Sequence, residues 1–130
     1  PVVHPEEAGR RLARLALAHD FTMYEHFQTD QAGHARDMDK AVLLLEQLDL
    51  LLDGVLGASD PDELLVVMTS DHGNVEDLTT RTHTRNPVPT MLWGAGREAV
   101  AGEVRTLADI APALLRYLRK RGAVNGADHA

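Results

Sequence analysis

Five apolar residues in a row, Leu64-Leu65-Val66-Val67-Met68, stand between the turn Asp60-Pro61-Asp62-Glu63 and the polar string TSDHGN at 69–74. The run shows no alternation of apolar and polar residues, so a strand over Leu64–Thr69 has to be covered on both faces. The rest of the chain supplies the cover. From Glu6 to Ala18, apolar residues at 8, 12, 15 and 16 with arginines opposite predict an amphipathic helix. From Ala35 to Leu56, the spacing of Met38, Val42, Leu45, Leu48, Leu52 and Val55 predicts a long helix packed through that stripe and stopped at Gly57. The aromatic and β-branched stretch DFTMYEHFQTD predicts a strand over Phe21–Gln28. Thr90–Trp93 predicts another, closed by Gly94-Ala95-Gly96. A last helix runs to about Lys120, with Pro112 in its first turn. Helices alternating with strands predict an α/β fold, a three-layer sandwich with a mainly parallel sheet. One unit spans 1–121, and 122–130 is expected to be a flexible tail.

Composition narrows the function classes. A formal charge of −7 with a pI near 5.4 leaves no basic patch for nucleic acid or an anionic membrane. No apolar run approaches the roughly 20 residues of a membrane span. An acidic protein still binds phosphate where a metal supplies the positive charge. Without cysteine there are no disulfides, thiolate zinc sites or thiol nucleophiles, which leaves His, Asp and Glu as the strong metal ligands. The chain starts at Pro1, on the approach to its first helix, and is expected to be a fragment of something longer. The expected setting is the cytoplasm.

Open α/β sheets bind ligands beyond the carboxyl ends of their strands, so the groups that follow each strand carry the chemistry. Asp30 and His34 follow the first; four residues apart, they share one face if the chain is helical there. Asp71 and His72 follow the second, ahead of Gly73. Two successive strand residues point to opposite faces, so these two reach a common point only where the backbone turns. The polar stretch Ser70–Asn86 then delivers Thr82-His83-Thr84-Arg85 in front of the third strand. Imidazole and carboxylate together suit zinc, manganese or iron. His4, His19, His26 and His129 are assigned to solvent, His26 facing out from its strand.

Taken in order, TDQAGH, TSDHGN and THTRNPVPTMLWG resemble the C-terminal part of the alkaline phosphatase superfamily. The similarity is greatest to its metalloenzyme branch, which contains cofactor-independent phosphoglycerate mutase and phosphopentomutase. The phosphoglycerate mutases carry D-x-x-G-H, DHGN and HT-x-NPVP segments, and the phosphopentomutases a THTR version of the last. Here THTRNPVP combines the two. The resemblance runs from about Phe21 to Leu118 and implies the C-terminal half of an alkaline-phosphatase-like core.

What the resemblance implies for the site is two divalent metal ions, manganese or zinc ahead of magnesium. Asp30, His34 and His83 would hold one, and Asp71 with His72 would contribute to the other. Arg85 would contact a small phosphorylated substrate. Two features depart from the family. Gln28-Thr29 precede Asp30 where the mutases have Asn-Pro, which leaves the substrate open. The Ser or Thr that receives the phosphoryl group belongs to an N-terminal motif that nothing here matches, and Ser70 does not occupy its place. The expected partner is therefore the missing N-terminal half, and the isolated chain is expected to be inactive. Two functions follow: the metal-binding half of a phosphomutase or phosphohydrolase, or a non-catalytic relative with an assembly or regulatory role.

Overall fold

The computed structural model describes residues 2–127. The elements in order are α1 (Pro5–Leu17), α2 (Gln28–Ala35), α3 (Met38–Gly57), β1 (Leu65–Thr69), β2 (Thr90–Gly94), α4 (Arg97–Glu103) and α5 (Leu107–Ala127). Pro5 opens α1 where a missing N–H costs nothing, and Glu6 and Glu7 in its first turn complement the helix dipole. Arg10 and Arg11 both donate to Glu7, and these bonds hold its carboxyl down at about 2.

α1 packs on α3 through glycine. A Cβ on Gly9 would stand 2.0 Å from the Leu51 carbonyl oxygen, and one on Gly54 2.0 Å from that of Glu6. The two backbones approach so closely that only hydrogen fits between them. This contact, with that of α2 at Ala41 and Leu44, decides which face of α3 is buried. The helix buries Ala41, Leu44, Leu51, Gly54 and Val55, while Met38, Val42 and Leu45 of the expected stripe are exposed. Leucine covers most of the circumference of α3, so apolar spacing fits more than one face; the glycine pair selects the one carrying Gly54.

Three further expectations are corrected. Phe21 to Phe27 forms neither strand nor helix, and α2 begins at Gln28. Among the described residues nothing pairs with this segment, and a strand exists only where a neighbour takes its backbone hydrogen bonds. Phe21, Met23, Tyr24 and Phe27 are accordingly exposed. The helix expected from Ala35 is broken at Arg36, in the left-handed region at φ 58°; Asp37 then caps α3 by accepting from Lys40 N at 3.0 Å. The last helix is two, and Pro112 is not in a first turn but inside α5, where its ring removes one helical hydrogen bond. α5 continues past Gly122 to Ala127; residues 128–130 lie outside the described residues.

The sheet is also different from a mainly parallel one. Among the described residues it has two strands, antiparallel, with Leu65 opposite Gly94 and Thr69 opposite Thr90. A parallel return needs a crossover to the far end of the sheet, usually a helix. Residues 70–89 contain none and return at the end they left. Beyond the sheet an isolated bridge, Gly73 with Thr84, keeps the two arms of this connection side by side. α2 lies against α3, with Ala32, Ala41 and Leu44 buried together and Val75 and Leu78 of the connection packed on them. One end of the sheet and the face of α2 thereby meet in the 70–89 segment. No helix of the described residues is long and apolar enough to cross a membrane.

Candidate metal centre

α2 carries Asp30 and His34 one turn apart, and the side chains point to one spot: His34 Nε2 lies 3.4 Å from Asp30 Oδ1. His83 arrives on the far arm of the connection, its Nε2 3.2 Å from His34 Nε2 and 3.4 Å from Asp30 Oδ1. Three donor atoms thus form a nearly equilateral triangle. Atoms bonded to one ion at about 2.1 Å stand roughly 3.0 to 3.4 Å apart, the span from octahedral to tetrahedral angles, so the triangle has the size of one cation's ligand set. Asp30, His34 and His83 are the group among the described residues placed to hold an ion.

The tautomer of His34 follows from its other nitrogen. Nδ1 is 2.6 Å from the carbonyl oxygen of Arg81, which can only accept. Nδ1 therefore carries a proton and donates, so that in the neutral ring the lone pair is on Nε2, turned towards Asp30 and His83. Asp30 is anchored in turn, because Asn74 Nδ2 donates to Asp30 Oδ1 at 2.7 Å. Asn74 is buried, 7% exposed, and a Cβ on Gly33 would fall 1.4 Å from its Oδ1. Glycine at 33 leaves room for this amide.

His72 flanks the triangle. Its ring stacks on that of His83, centroids 3.5 Å apart and 14° from parallel. Its Nε2 is 3.9 Å from Asp30 Oδ1 and 3.5 Å from Asp71 Oδ2, while its Nδ1 is buried without a hydrogen-bond partner among the described residues. Asp71 stands at the rim, with its side chain 86% exposed. With His72, Arg85, Arg105 and Thr106 it lines an open cleft of about 490 Å³. Arg85 is exposed and, among the described residues, has no carboxylate partner. Two carboxylates and three imidazoles thus gather in one place, a set of donors that attracts a cation.

Several contributors are not singled out by sequence reading. Asn74 sits inside the quoted TSDHGN string, but its hold on Asp30 depends on Gly33, 41 positions earlier. Glu76 accepts from Asn74 N at 2.6 Å, Asn86 Nδ2 at 3.0 Å and Thr84 Oγ1. The Thr84 hydroxyl, first among these bonds, pulls the Glu76 carboxyl down to about 2. His26 is the exception among the histidines assigned to solvent: it is half-buried outside any strand, and burial lowers its pKa. His19 lies on the surface, its Nδ1 2.8 Å from the Leu15 carbonyl, and His129 is outside the described residues.

The profile of the Metalloenzyme superfamily matches residues 4–121. A phosphopentomutase from Chromohalobacter salexigens is 35% identical over 95% of this chain and 29% of its own length. The 2,3-bisphosphoglycerate-independent phosphoglycerate mutases of Ruegeria sp. and Methanopyrus kandleri are 31% and 35% identical, over 88% and 66% of this chain. The chain spans 21–29% of the length of these relatives. No solved structure matches it significantly. From its first helix to the end of the aligned region at residue 121, the chain belongs to the Metalloenzyme superfamily.

Proposed function

We propose that this chain is the metal-binding part of a phosphoryl-transfer enzyme, a phosphomutase or phosphohydrolase acting on a small phosphate ester. The observation that carries the reading is the triangle of Asp30 Oδ1, His34 Nε2 and His83 Nε2, with sides of 3.2 to 3.4 Å, built from segments nearly fifty residues apart. The mutase names of the relatives point to the phosphate ester. In this reading residues 1–121 are the C-terminal part of the metalloenzyme core, and the rest of a longer polypeptide supplies further sheet strands and the Ser or Thr nucleophile. A cytoplasmic setting belongs to the same proposal.

Two divalent ions are proposed, with Asp30, His34 and His83 holding one and Asp71 and His72 contributing to the other. Manganese or zinc suits the nitrogen-rich donor set better than magnesium, which prefers oxygen and water. Bound there, such ions supply positive charge to the oxygens of a transferring phosphoryl group. The chain's own residues do the rest. The Arg81 carbonyl keeps the proton of His34 on Nδ1, and Asn74 holds Asp30 in place. Arg85, which lines the same cleft as Asp71, is assigned to the substrate's phosphate or a neighbouring oxygen. Asp71 and His72 stay together at the turn because Ser70 Oγ donates to the His72 carbonyl at 2.8 Å.

Calorimetric titration of the 130-residue chain with manganese, zinc and magnesium ions tests the metal assignment. Manganese and zinc are expected to bind, and His34→Ala to abolish tight binding. Tight binding of magnesium alone would overturn the assignment. With a phosphopentose or phosphoglycerate as substrate, the chain alone is expected to give no mutase turnover, because the covalent intermediate needs a nucleophile it does not contain.

A further inference from the structure

We propose that Asn74 and Glu76 are positioning residues that join the ligand-bearing segments into one centre, Asn74 setting Asp30 and Glu76 setting the arm that carries His83. The inference rests on the metal-binding reading and extends it to side chains that touch no ion. The ligands come from three places: α2, the turn at 71–74 and the arm at 82–86. α2 and its C-cap reach the connection through His34 Nδ1 at the Arg81 carbonyl, Arg36 Nε at the Leu78 carbonyl and the contact of His34 Nε2 with His83 Nε2; the remaining side-chain bonds that tie these places together run through this pair. Asn74 Nδ2 donates to Asp30 Oδ1 at 2.7 Å, and its Oδ1 fills the space beside Gly33, so the turn is keyed into α2. Asn74 N donates to Glu76 Oε2 at 2.6 Å. Oε1 of the same carboxylate accepts from Thr84 Oγ1 and from Asn86 Nδ2 at 3.0 Å, which fastens the turn to the arm. Thr84 is the neighbour of His83, and its backbone N donates to the Gly73 carbonyl at 2.8 Å. A carboxylate suits the position because it faces three donors and has only acceptors to offer. An amide would turn one N–H towards a donor. No regular secondary structure spans residues 70–89, so the arm has no helical or sheet ladder to fix it. Beyond the backbone bridge between Gly73 and Thr84, the distance of His83 from Asp30 therefore depends on these few side-chain bonds.

Cobalt(II) titration of the 130-residue chain, read by its visible absorption, gives both affinity and coordination geometry. Asn74→Ala and Glu76→Gln are expected to weaken cobalt binding about 10- to 100-fold, as loss of outer partners of metal ligands does. Their far-UV dichroism without metal should stay close to the parent's, and both variants should remain folded at the titration temperature even where the thermal midpoint falls. Glu98→Gln, which removes the same charge from an exposed site on α4, should change affinity by less than about twofold, since an exposed surface ion pair such as that of Glu98 with Arg97 is weakly felt. Thr84→Ser keeps the hydroxyl that Glu76 accepts and should keep parental affinity and spectrum, whereas Thr84→Val should follow Glu76→Gln. Parental affinity and spectrum in Asn74→Ala and Glu76→Gln would overturn the assignment. So would a loss explained by unfolding, with the metal-free variants no longer folded at the titration temperature, or an equal loss in Glu98→Gln. If the unmodified chain binds no cobalt, zinc or manganese, the metal-binding reading itself falls, and the positioning roles with it.

Discussion

The α1–α3 pair and the 70–89 connection hold their shapes by opposite means. In the first, two helices meet backbone to backbone at Gly9 and Gly54, and their hydrogen bonds are satisfied within each helix. In the second, cross-links between side chains and backbone, Asn74 to Asp30, His34 to the Arg81 carbonyl and Glu76 to Thr84, do the work of secondary structure. Glycine serves both. At Gly9 and Gly54 the space is filled by a facing carbonyl, and at Gly33 by a side-chain amide. The lesson is that a missing Cβ protects overall stability in one region and ligand placement in the other.

The largest expected effect tests the first half of that contrast. In Gly54→Val the new Cβ meets the Glu6 backbone, which cannot move aside as a side chain can, and the helices must separate. A loss of about 3 kcal/mol or more is expected, at the upper end of overpacking costs, and thermal or denaturant unfolding measures it. An unchanged unfolding midpoint would break the comparison on this side.

Gly33→Ala sharpens the other half, because two effects of opposite sign meet there. Alanine favours a helix over glycine by about 1 kcal/mol, so α2 by itself should gain. Yet the methyl occupies the place of the Asn74 amide, which must leave Asp30. The expected outcome is unchanged or higher helix content with zinc affinity lowered by about tenfold or more, read by dichroism and calorimetry on one sample. Retained affinity would mean that Asn74 can serve Asp30 from elsewhere.

The smallest effect is acid-dependent. Glu76 is held at about 2 against an ordinary value of 4.5, first by the Thr84 hydroxyl. A depressed folded value means that the unfolded chain takes up the proton first as pH falls. The stabilisation is thus complete above about 4.5 and is lost progressively between 4.5 and about 2. Glu7 titrates in the same window, so the diagnostic is the difference between the parent and Glu76→Gln. Above pH 5 the parent should be the more stable of the two, and the gap should close towards pH 2. A gap constant with pH would show that the bonds to Glu76 do not depend on its charge.

Much of this was legible without coordinates because it is local. Five apolar residues bounded by a turn and a polar string define β1, and a four-residue spacing puts Asp30 and His34 on one face of α2. Where the pattern misleads, the missing information is a partner. Phe21–Phe27 has strand composition without a strand beside it, and α3 offers several apolar faces of which α1 covers one. The break at Arg36–Asp37 had a signal in the capping aspartate, which stands directly before Met38, the first residue of the apolar stripe.

From the chain alone come α1, β1, β2 and most of α3, the donor types and the order of the ligand-bearing strings, since each depends on neighbours within a few positions. Only folding in three dimensions makes the strand pairing antiparallel, selects the buried face of α3 and brings His83 to within 3.4 Å of Asp30 across 53 positions. These depend on which surfaces meet. At this site the meeting is arranged by an asparagine, a glutamate and a backbone carbonyl, groups whose partners lie too far along the chain for any local pattern to reveal.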